Sequence, residues 1–115
     1  MDNLHLAQMW QQIADLMEIL GENPYKALAY RKGARSIRKS PLPLEELYST
    51  GQLDQLPGIG KSLKTSVEEF LQTGTLTMLE ELEIQVGDEL IALTNLGISP
   101  RLVGRLHGEL GIENL

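Results

Sequence analysis

The chain has no cysteine and few aromatic residues, and both absences narrow the kinds of protein it can be. Without cysteine, the fold has no disulfide, no thiolate metal site and no cysteine nucleophile. Aromatic residues make up 4% of the sequence, so a core has to be packed from aliphatic side chains and alanine. That composition favours helices over sheets.

Long apolar runs are absent as well. No stretch approaches the roughly 18 apolar residues needed to cross a bilayer, and no basic segment leads into an apolar run at the amino terminus. The sequence therefore predicts no membrane partner and a cytoplasmic location. Its 115 residues are enough for about one domain with a single core.

Positive charge is scarce overall but concentrated in one segment. The chain has 10 lysines and arginines against 16 aspartates and glutamates, and its net charge of −6 argues on average against binding a polyanion. Acidic residues dominate the amino-terminal segment and residues 68–89. The sequence predicts one basic patch on an acidic body. The cations of this patch are Lys26, Arg31, Lys32, Arg35, Arg38 and Lys39.

Apolar residues recur at spacings of three and four along most of the chain, the pattern of amphipathic helices. We therefore predict an all-α fold, a compact bundle of short helices. In the second helix, Leu28, Ala34 and Ile37 are expected to face inward, and Gly111 is expected to close the last helix. The predicted helices cover residues 4–20, 24–39, 44–48, 61–72, 75–82, 86–93 and 101–110, with a brief turn at 53–56.

Residues 56–60 read Leu-Pro-Gly-Ile-Gly and lead directly into a predicted helix that begins with Lys61 and Ser62. Glycine lets the backbone take a positive φ angle and approach another molecule closely. The first amides of a helix have no partner within it and lie at the positive end of its dipole, so they suit a phosphate. Ile59 is expected to anchor the turn in the core. The motif predicts a helix-hairpin-helix unit that holds a nucleic-acid strand without reading bases, and the alternative is a plain turn.

Residues 96–100 repeat this pattern in a degenerate form, Leu-Gly-Ile-Ser-Pro, before the last predicted helix. A non-glycine residue enters such a turn at some strain, so we expect a weaker phosphate site around Gly97 and Ser99. Arg101 and Arg105 lie one turn apart and would face a strand there. The alternative is that they are solvent-exposed arginines of an amphipathic helix.

Three segments, read in order, resemble one known family. They are Asn-Pro-Tyr-Lys-Ala-Leu-Ala-Tyr-Arg-Lys-Gly-Ala-Arg-Ser-Ile-Arg at 23–38, the hairpin at 56–60 and Glu-Glu-Phe-Leu-Gln-Thr-Gly at 68–74. The chain is similar, over almost its whole length, to the amino-terminal region of X-family DNA polymerases, the group that includes DNA polymerase beta and bacterial PolX. The resemblance implies a lyase-type helical domain at 1–83 with the first hairpin, and the start of a fingers subdomain at 84–115 with the second.

The resemblance also implies roles for individual residues. Lys26 and Tyr30 match positions that contact a 5′ phosphate. Tyr25 matches a ring that stacks on a template base, a contact worth roughly 1–3 kcal/mol. The alternative is that both tyrosines cover the hydrophobic edge between the first two helices.

A monovalent cation at the first hairpin is a further implication of the resemblance. A sodium or potassium ion would bridge the phosphate and the backbone carbonyls of Asp54, Leu56 and Ile59. No other cofactor is expected.

The sequence departs from the family where the family's lyase chemistry takes place. The family nucleophile is a lysine in the helix after the first hairpin, and Ser66, which cannot form an imine, stands at the matching position. Asp54, Ser62 and Met78 stand at positions that are basic in the family, so the pocket has lost positive charge. Lys64 is a weak substitute, because a nucleophilic lysine needs burial or a cationic neighbour, and residues two apart on a helix point to different sides. The aspartates of the polymerase palm are absent.

We therefore interpret the chain as a DNA-binding module without sequence specificity, and not as an enzyme on its own. Its expected partners are gapped, nicked or single-stranded DNA ends and, in a longer chain, the palm and fingers of a polymerase; in a bacterium it would lie at the nucleoid. Two alternatives stay open: a 5′-deoxyribose phosphate or abasic-site lyase with a relocated lysine, and a scaffold whose acidic helices bind a protein. The predicted contact residues are Tyr25, Lys26, Tyr30, Lys32, Arg35, Gly58, Ile59, Gly60, Lys61, Ser62, Lys64, Gly97, Ser99, Arg101 and Arg105.

Overall fold

Helices dominate the computed structural model, which describes residues 2–110, with side chains through residue 106. The predicted all-α fold is confirmed, and within the described residues there is no strand. The expected closure of the last helix at Gly111 lies outside the described residues. The elements are α1 (Asp2–Leu20), α2 (Pro24–Lys39), α3 (Leu44–Ser49), a 3-10 turn (Leu53–Gln55), α4 (Lys61–Thr73), α5 (Thr77–Val86), α6 (Asp88–Asn95) and α7 (Pro100–Leu110).

Helix α1 forms the centre of the bundle. Its side chains Leu6, Trp10 and Ile13 are completely buried, and α2, α5 and α7 pack around it. The buried apolar residues form one continuous cluster that extends as far as Val103 on α7. The predicted division of the chain between residues 83 and 84 falls inside α5, and it stays a prediction.

The start of α2 follows the signals in the sequence. Asn23 is its N-cap, and the Asn23 side chain accepts a hydrogen bond from the amide of Lys26 at 3.1 Å. Pro24 occupies the first helical position, where its missing N–H costs nothing. The helix ends at Lys39, before Ser40 and Pro41, because a residue that precedes proline avoids the helical region.

Two expectations about the helices were wrong. Leu28 does not face inward: its side chain is 48% exposed, and Ala27 and Tyr30 occupy the buried positions of that turn instead. The break predicted between residues 82 and 86 is absent, since α5 continues to Val86 and Gly87 separates it from α6. The apolar residues Leu79, Leu82 and Val86 keep helical spacing, which explains why the helix continues.

Two helical glycines let neighbouring helices approach closely. A Cβ atom on Gly33 of α2 would lie 2.5 Å from Cδ1 of Leu63 on α4 and 3.1 Å from the Trp10 ring. A Cβ atom on Gly104 of α7 would lie 2.9 Å from the carbonyl oxygen of Ile19 on α1. The two glycines thus allow close packing of the helices that follow the two hairpins, α4 against α2 and α7 against α1. No helix in the described range is both long and apolar enough to span a membrane.

Candidate nucleic-acid interface

The first hairpin is a tight turn between the 3-10 turn and α4. The amide of Ile59 donates to the carbonyl of Leu56 at 3.2 Å, and the Ile59 side chain is buried, as expected for an anchor. Gly58 has a φ of +82°, a conformation that residues with a side chain rarely adopt. Gly60 is extended, with φ −96° and ψ −172°, so the turn uses the positive φ of only one of its two glycines.

The hairpin lies directly against the basic helix α2. A Cβ atom on Gly58 would be 3.2 Å from Cβ of Lys32, so a larger residue would push the turn away from α2. The hydroxyl of Ser36 donates a hydrogen bond to the carbonyl of Pro57. The structure thus brings together two features that are more than twenty residues apart in the sequence, the glycine turn and the basic segment.

The amino terminus of α4 is open. Gly60 is its N-cap and has no side chain to accept a hydrogen bond from the first turn. The carbonyl of Gly60 accepts from the amide of Lys64 at 3.0 Å, which is the first bond of the helix. No acceptor in the described part of the chain engages the amides of Gly60, Lys61 and Ser62. Three consecutive donors at the positive end of a helix dipole suit an anion.

A row of exposed side chains runs along α2, beside the hairpin, at successive spacings of three, four, three and four residues. Because this spacing keeps residues on one side of a helix, the row forms a stripe about 21 Å long. Tyr25 is 83% exposed at its amino-terminal end, where its ring is available for stacking. We call this row the exposed α2 stripe, and its members are Tyr25, Leu28, Lys32, Arg35 and Lys39.

The cations of the basic segment differ in their partners. Arg31 pairs with Asp15 at 2.8 Å and with Glu18 at 3.1 Å, so α1 neutralises its charge. Among the described side chains, no acidic group forms an ion pair with Lys26 or with the three cations of the exposed α2 stripe. The stripe therefore keeps its positive charge.

Tyr30 has a structural role. Its side chain is buried, and its hydroxyl lies 3.2 Å from Sδ of Met78. The Tyr30 ring packs edge-on against Trp10, with the ring centroids 6.3 Å apart. Burial, and secondarily the charge of Glu69, raises the pKa of the Tyr30 hydroxyl above its ordinary value. Tyr30 therefore belongs to the core, and its phosphate contact stays a prediction. Tyr25, in contrast, is exposed and does not cover the helix edge.

The two residues considered for lyase chemistry are both engaged in other contacts. Ser66 Oγ accepts a hydrogen bond from Nε1 of the buried Trp10 at 2.8 Å. Lys64 Nζ lies 3.4 Å from Oδ2 of Asp54. Lys64 thus has a carboxylate neighbour, where a nucleophilic lysine would need a cationic neighbour or deep burial.

Carbonyl groups around the first hairpin are the candidate ligands of a monovalent cation. The Leu56 carbonyl already accepts from the Ile59 amide, which leaves it one further lone pair. The carbonyls of Asp54 and Ile59 accept no hydrogen bond from described residues outside the regular helices. The cation site stays a prediction. No cluster of three or more acidic or histidine side chains suited to a metal occurs in the described part of the chain.

The second hairpin has the same layout but a different chemistry. Gly97 takes a φ of +95°, like Gly58, and Leu96, in place of the usual proline, is 80% exposed. Ser99 precedes α7, and its hydroxyl accepts a hydrogen bond from the amide of Leu102 at 3.2 Å. Pro100 has no amide hydrogen. The turn thus caps its own helix and offers fewer donors to an anion.

Arg101 and Arg105 lie on exposed positions of α7, after the second hairpin. They share one side of the helix, next to the side that carries Gly104, which lies against α1. Their predicted contact with a nucleic-acid strand stays a prediction.

Comparison with known proteins identifies the family. A profile of the helix-hairpin-helix domain matches residues 1–76. The chain belongs to the helix-hairpin-helix domain family. It is 30% identical over 110 residues to the DNA polymerase/3'-5' exonuclease PolX of Bacillus subtilis (strain 168) and 29% identical over 120 residues to DNA polymerase lambda of Arabidopsis thaliana. The predicted relation to the amino-terminal region of X-family DNA polymerases is confirmed.

The two matches with polymerases cover nearly all of this chain but only a small part of each polymerase. They cover 95% and 98% of this chain, but 19% and 21% of the respective relatives. The chain thus spans about a fifth of the length of the curated relatives it matches. The helix-hairpin-helix match itself includes the first hairpin and ends before the second.

Three features of the interface were not predicted from the sequence. Ser36 fixes the hairpin to α2, Arg31 is ion-paired with α1, and Leu28, which was predicted to face inward, belongs to the exposed α2 stripe. The spacing of Leu28 from Lys32 was a usable signal, because residues four apart on a helix share a face. The partners of Ser36 and Arg31 depend on tertiary packing and left no local signal.

Proposed function

We propose that the chain is a DNA-binding module without sequence specificity, in which the first hairpin and the exposed α2 stripe contact the same DNA strand. Membership in the helix-hairpin-helix family and the similarity to two DNA polymerases support this function. In a longer chain, the module would place a polymerase on gapped or nicked DNA. The proposed location is the cytoplasm, at the nucleoid in a bacterium.

One observation carries the proposal: an open helix terminus lies beside an unneutralised row of cations. The amides of Gly60, Lys61 and Ser62 would donate to one phosphate, with Lys61 adding its charge. Lys32, in contact with Gly58, would bind the next phosphate. Lys26, at the start of α2, adds positive charge to the same helix. An acidic protein with a net charge of −6 can bind DNA in this way because α2 itself carries no acidic residue, so its cations form a local positive patch.

The proposed contacts explain why no base sequence would be preferred. Backbone amides and lysine ammonium groups meet phosphates, which are identical along a strand. Tyr25 would stack on a base, and stacking tolerates every base because each has a π face. Bases have to be unpaired for this contact, so single-stranded and gapped DNA would bind better than intact duplex.

The first experiment is a titration with one-nucleotide-gapped DNA, intact duplex and single strand at low and moderate salt. Gapped DNA is expected to bind best, with a log–log salt slope of about −0.9 per neutralised phosphate on duplex DNA. Gly58→Val should weaken binding at least about tenfold, because it displaces the amides from α2. Gly74→Val is the matched control, since Gly74 also has a positive φ, +78°, but lies at the far end of α4 with nothing within 4 Å of a Cβ atom.

The titration also separates the rival functions. Absence of salt-sensitive binding to all three DNAs would contradict the proposal and favour the protein-binding scaffold. A lyase with a relocated lysine would instead form a covalent adduct on Lys64 or Lys26 that borohydride traps on abasic DNA. We expect no adduct, because the described neighbours of Lys64 do not activate it.

A further inference from the structure

The two arms of the first hairpin are joined by one ion pair. Asp54 lies in the 3-10 turn that enters the hairpin, and Lys64 lies in the first turn of α4, which leaves it. Lys64 Nζ and Asp54 Oδ2 are 3.4 Å apart, and their side chains are 40% and 61% exposed. The pair thus places a carboxylate at the same hairpin whose following helix, α4, begins with open amides.

The carboxylate changes the charge that an anion meets at the hairpin. Lys64 would otherwise be the third cation near the α4 terminus, with Lys61 and Lys32. Asp54 compensates the charge of Lys64, while among the described side chains no acidic group pairs with the other two lysines. The site therefore combines three neutral amide donors with moderate positive charge, and not the dense cationic pocket that a doubly charged group needs.

DNA offers two kinds of phosphate to such a site. An internal phosphodiester carries one negative charge, whereas a terminal phosphate monoester carries about −1.5 to −2 at neutral pH. The amides donate equally well to both. The extra charge of the terminal group is the part that responds to the nearby carboxylate, because it is repelled by Asp54 and gains nothing from a lysine that is already paired.

We propose that Asp54 is a specificity-determining residue of the first hairpin, and that it directs the site to internal phosphodiesters in place of a terminal 5′ phosphate. This inference rests on the proposed DNA binding and adds the class of phosphate that is bound. Asp54 acts in two ways, by repelling the second charge and by occupying Lys64. The module would thus hold the continuous strand of a gapped DNA and not its phosphorylated end.

The experiment compares two one-nucleotide-gapped DNAs that differ only in a 5′ phosphate or a 5′ hydroxyl in the gap. Wild type is expected to bind both with affinities within about threefold of each other. Asp54→Asn should raise the affinity ratio in favour of the 5′ phosphate by about threefold, a size typical of one partly screened charge. Asp54→Asn with Lys64→Gln should return the ratio toward wild type, since the released lysine is then missing.

A charge-matched control separates a local effect from a change in net charge. Glu81→Gln removes one carboxylate from α5, and it should change both affinities equally and leave the ratio unaltered. Thermal unfolding of each variant checks that the fold is intact, as expected for exposed side chains. A 5′-phosphate preference above about threefold in wild type, or an equal response of both DNAs to Asp54→Asn, would overturn the inference while leaving DNA binding in place. If wild type bound neither DNA, the proposed function would be overturned, and this inference with it.

Discussion

The two hairpins share one backbone design but differ in what they leave open. Gly58 and Gly97 take nearly the same φ, +82° and +95°, and each precedes a helix by a few residues. At the first hairpin, the cap residue Gly60 leaves the amides of α4 without an internal acceptor. At the second hairpin, the hydroxyl of Ser99 accepts a hydrogen bond from the amide of Leu102 at 3.2 Å.

The contrast shows that the turn and the anion site are separable properties. Positive φ at the first glycine builds the turn, whereas the residue before the helix decides whether its amides stay available. Serine is among the best N-caps because its hydroxyl accepts a hydrogen bond from one otherwise unpaired amide. This bond stabilises the helix, but the amide is then no longer available to bind an anion. The first hairpin is thus suited to binding, and the second is suited to stability.

The largest expected effect concerns the packing of the second hairpin. Gly104→Ala places a Cβ atom 2.9 Å from the Ile19 carbonyl, a backbone atom of α1 that cannot rotate away. The variant should lower the free energy of unfolding by about 1–3 kcal/mol, measured by chemical denaturation. Gly33→Ala is the counterpart near the first hairpin. Its closest neighbour is the Cδ1 methyl of Leu63, the movable end of a side chain, so its cost should be smaller.

The Gly104→Ala variant also tests which hairpin binds DNA. Gly104→Ala displaces α7 and the second hairpin but leaves Gly58 and α2 in place. Under conditions where the protein stays folded, its affinity for gapped DNA should remain within about twofold of wild type. A strong loss of affinity would show that the second hairpin contributes more than its closed amides suggest.

The second prediction converts the open hairpin into a closed one. Gly60 is extended and nothing lies within 4 Å of a Cβ atom placed on it, so any side chain fits. Gly60→Asp should raise stability by about 0.3–1 kcal/mol through the cap and the helix dipole. It should weaken DNA binding by about tenfold, because the carboxylate occupies the amides and repels a phosphate.

Opposite signs for stability and binding distinguish this outcome from misfolding. The matched control is Ser99→Asp, which adds the same charge at the equivalent position of the second hairpin. Its effect on DNA affinity should stay below about twofold. If both aspartate variants weakened binding equally, the two hairpins would contribute alike, and the proposed difference would be wrong.

How much could be predicted from the sequence depends on whether the signal is local. The helices, the glycine turns and the anchor Ile59 follow from spacing and backbone preferences of neighbouring residues, and the structure confirms them. The prediction that Leu28 faces inward was based on its apolar side chain and was wrong. In that turn of α2 the buried position is occupied by Tyr30, and Leu28 lies on the exposed face.

The features of the site that the sequence did not predict arise from contacts between distant segments. Ser36 reaches Pro57 across twenty-one positions, and Trp10 reaches Ser66 across fifty-six. No pattern within either segment indicates such a partner. The same holds for Asp54 and Lys64: each was noted separately from the sequence, but their pairing depends on how tightly the hairpin turns.

The smallest expected effect comes from opening the second hairpin. Ser99→Gly removes the hydroxyl that holds the Leu102 amide, so α7 begins as α4 does, with a glycine cap. Stability should fall by only a few tenths of a kcal/mol, the usual difference between serine and glycine at an N-cap. DNA affinity should rise by about twofold at most, because Pro100 still lacks an amide hydrogen and α7 lies against α1 and not beside the exposed α2 stripe. Fluorescence anisotropy at low salt can resolve a change of this size, and adding Pro100→Lys should increase it further. A rise comparable to the loss in Gly60→Asp would mean that the cap residue alone decides binding, and that the cations of α2 matter less than proposed.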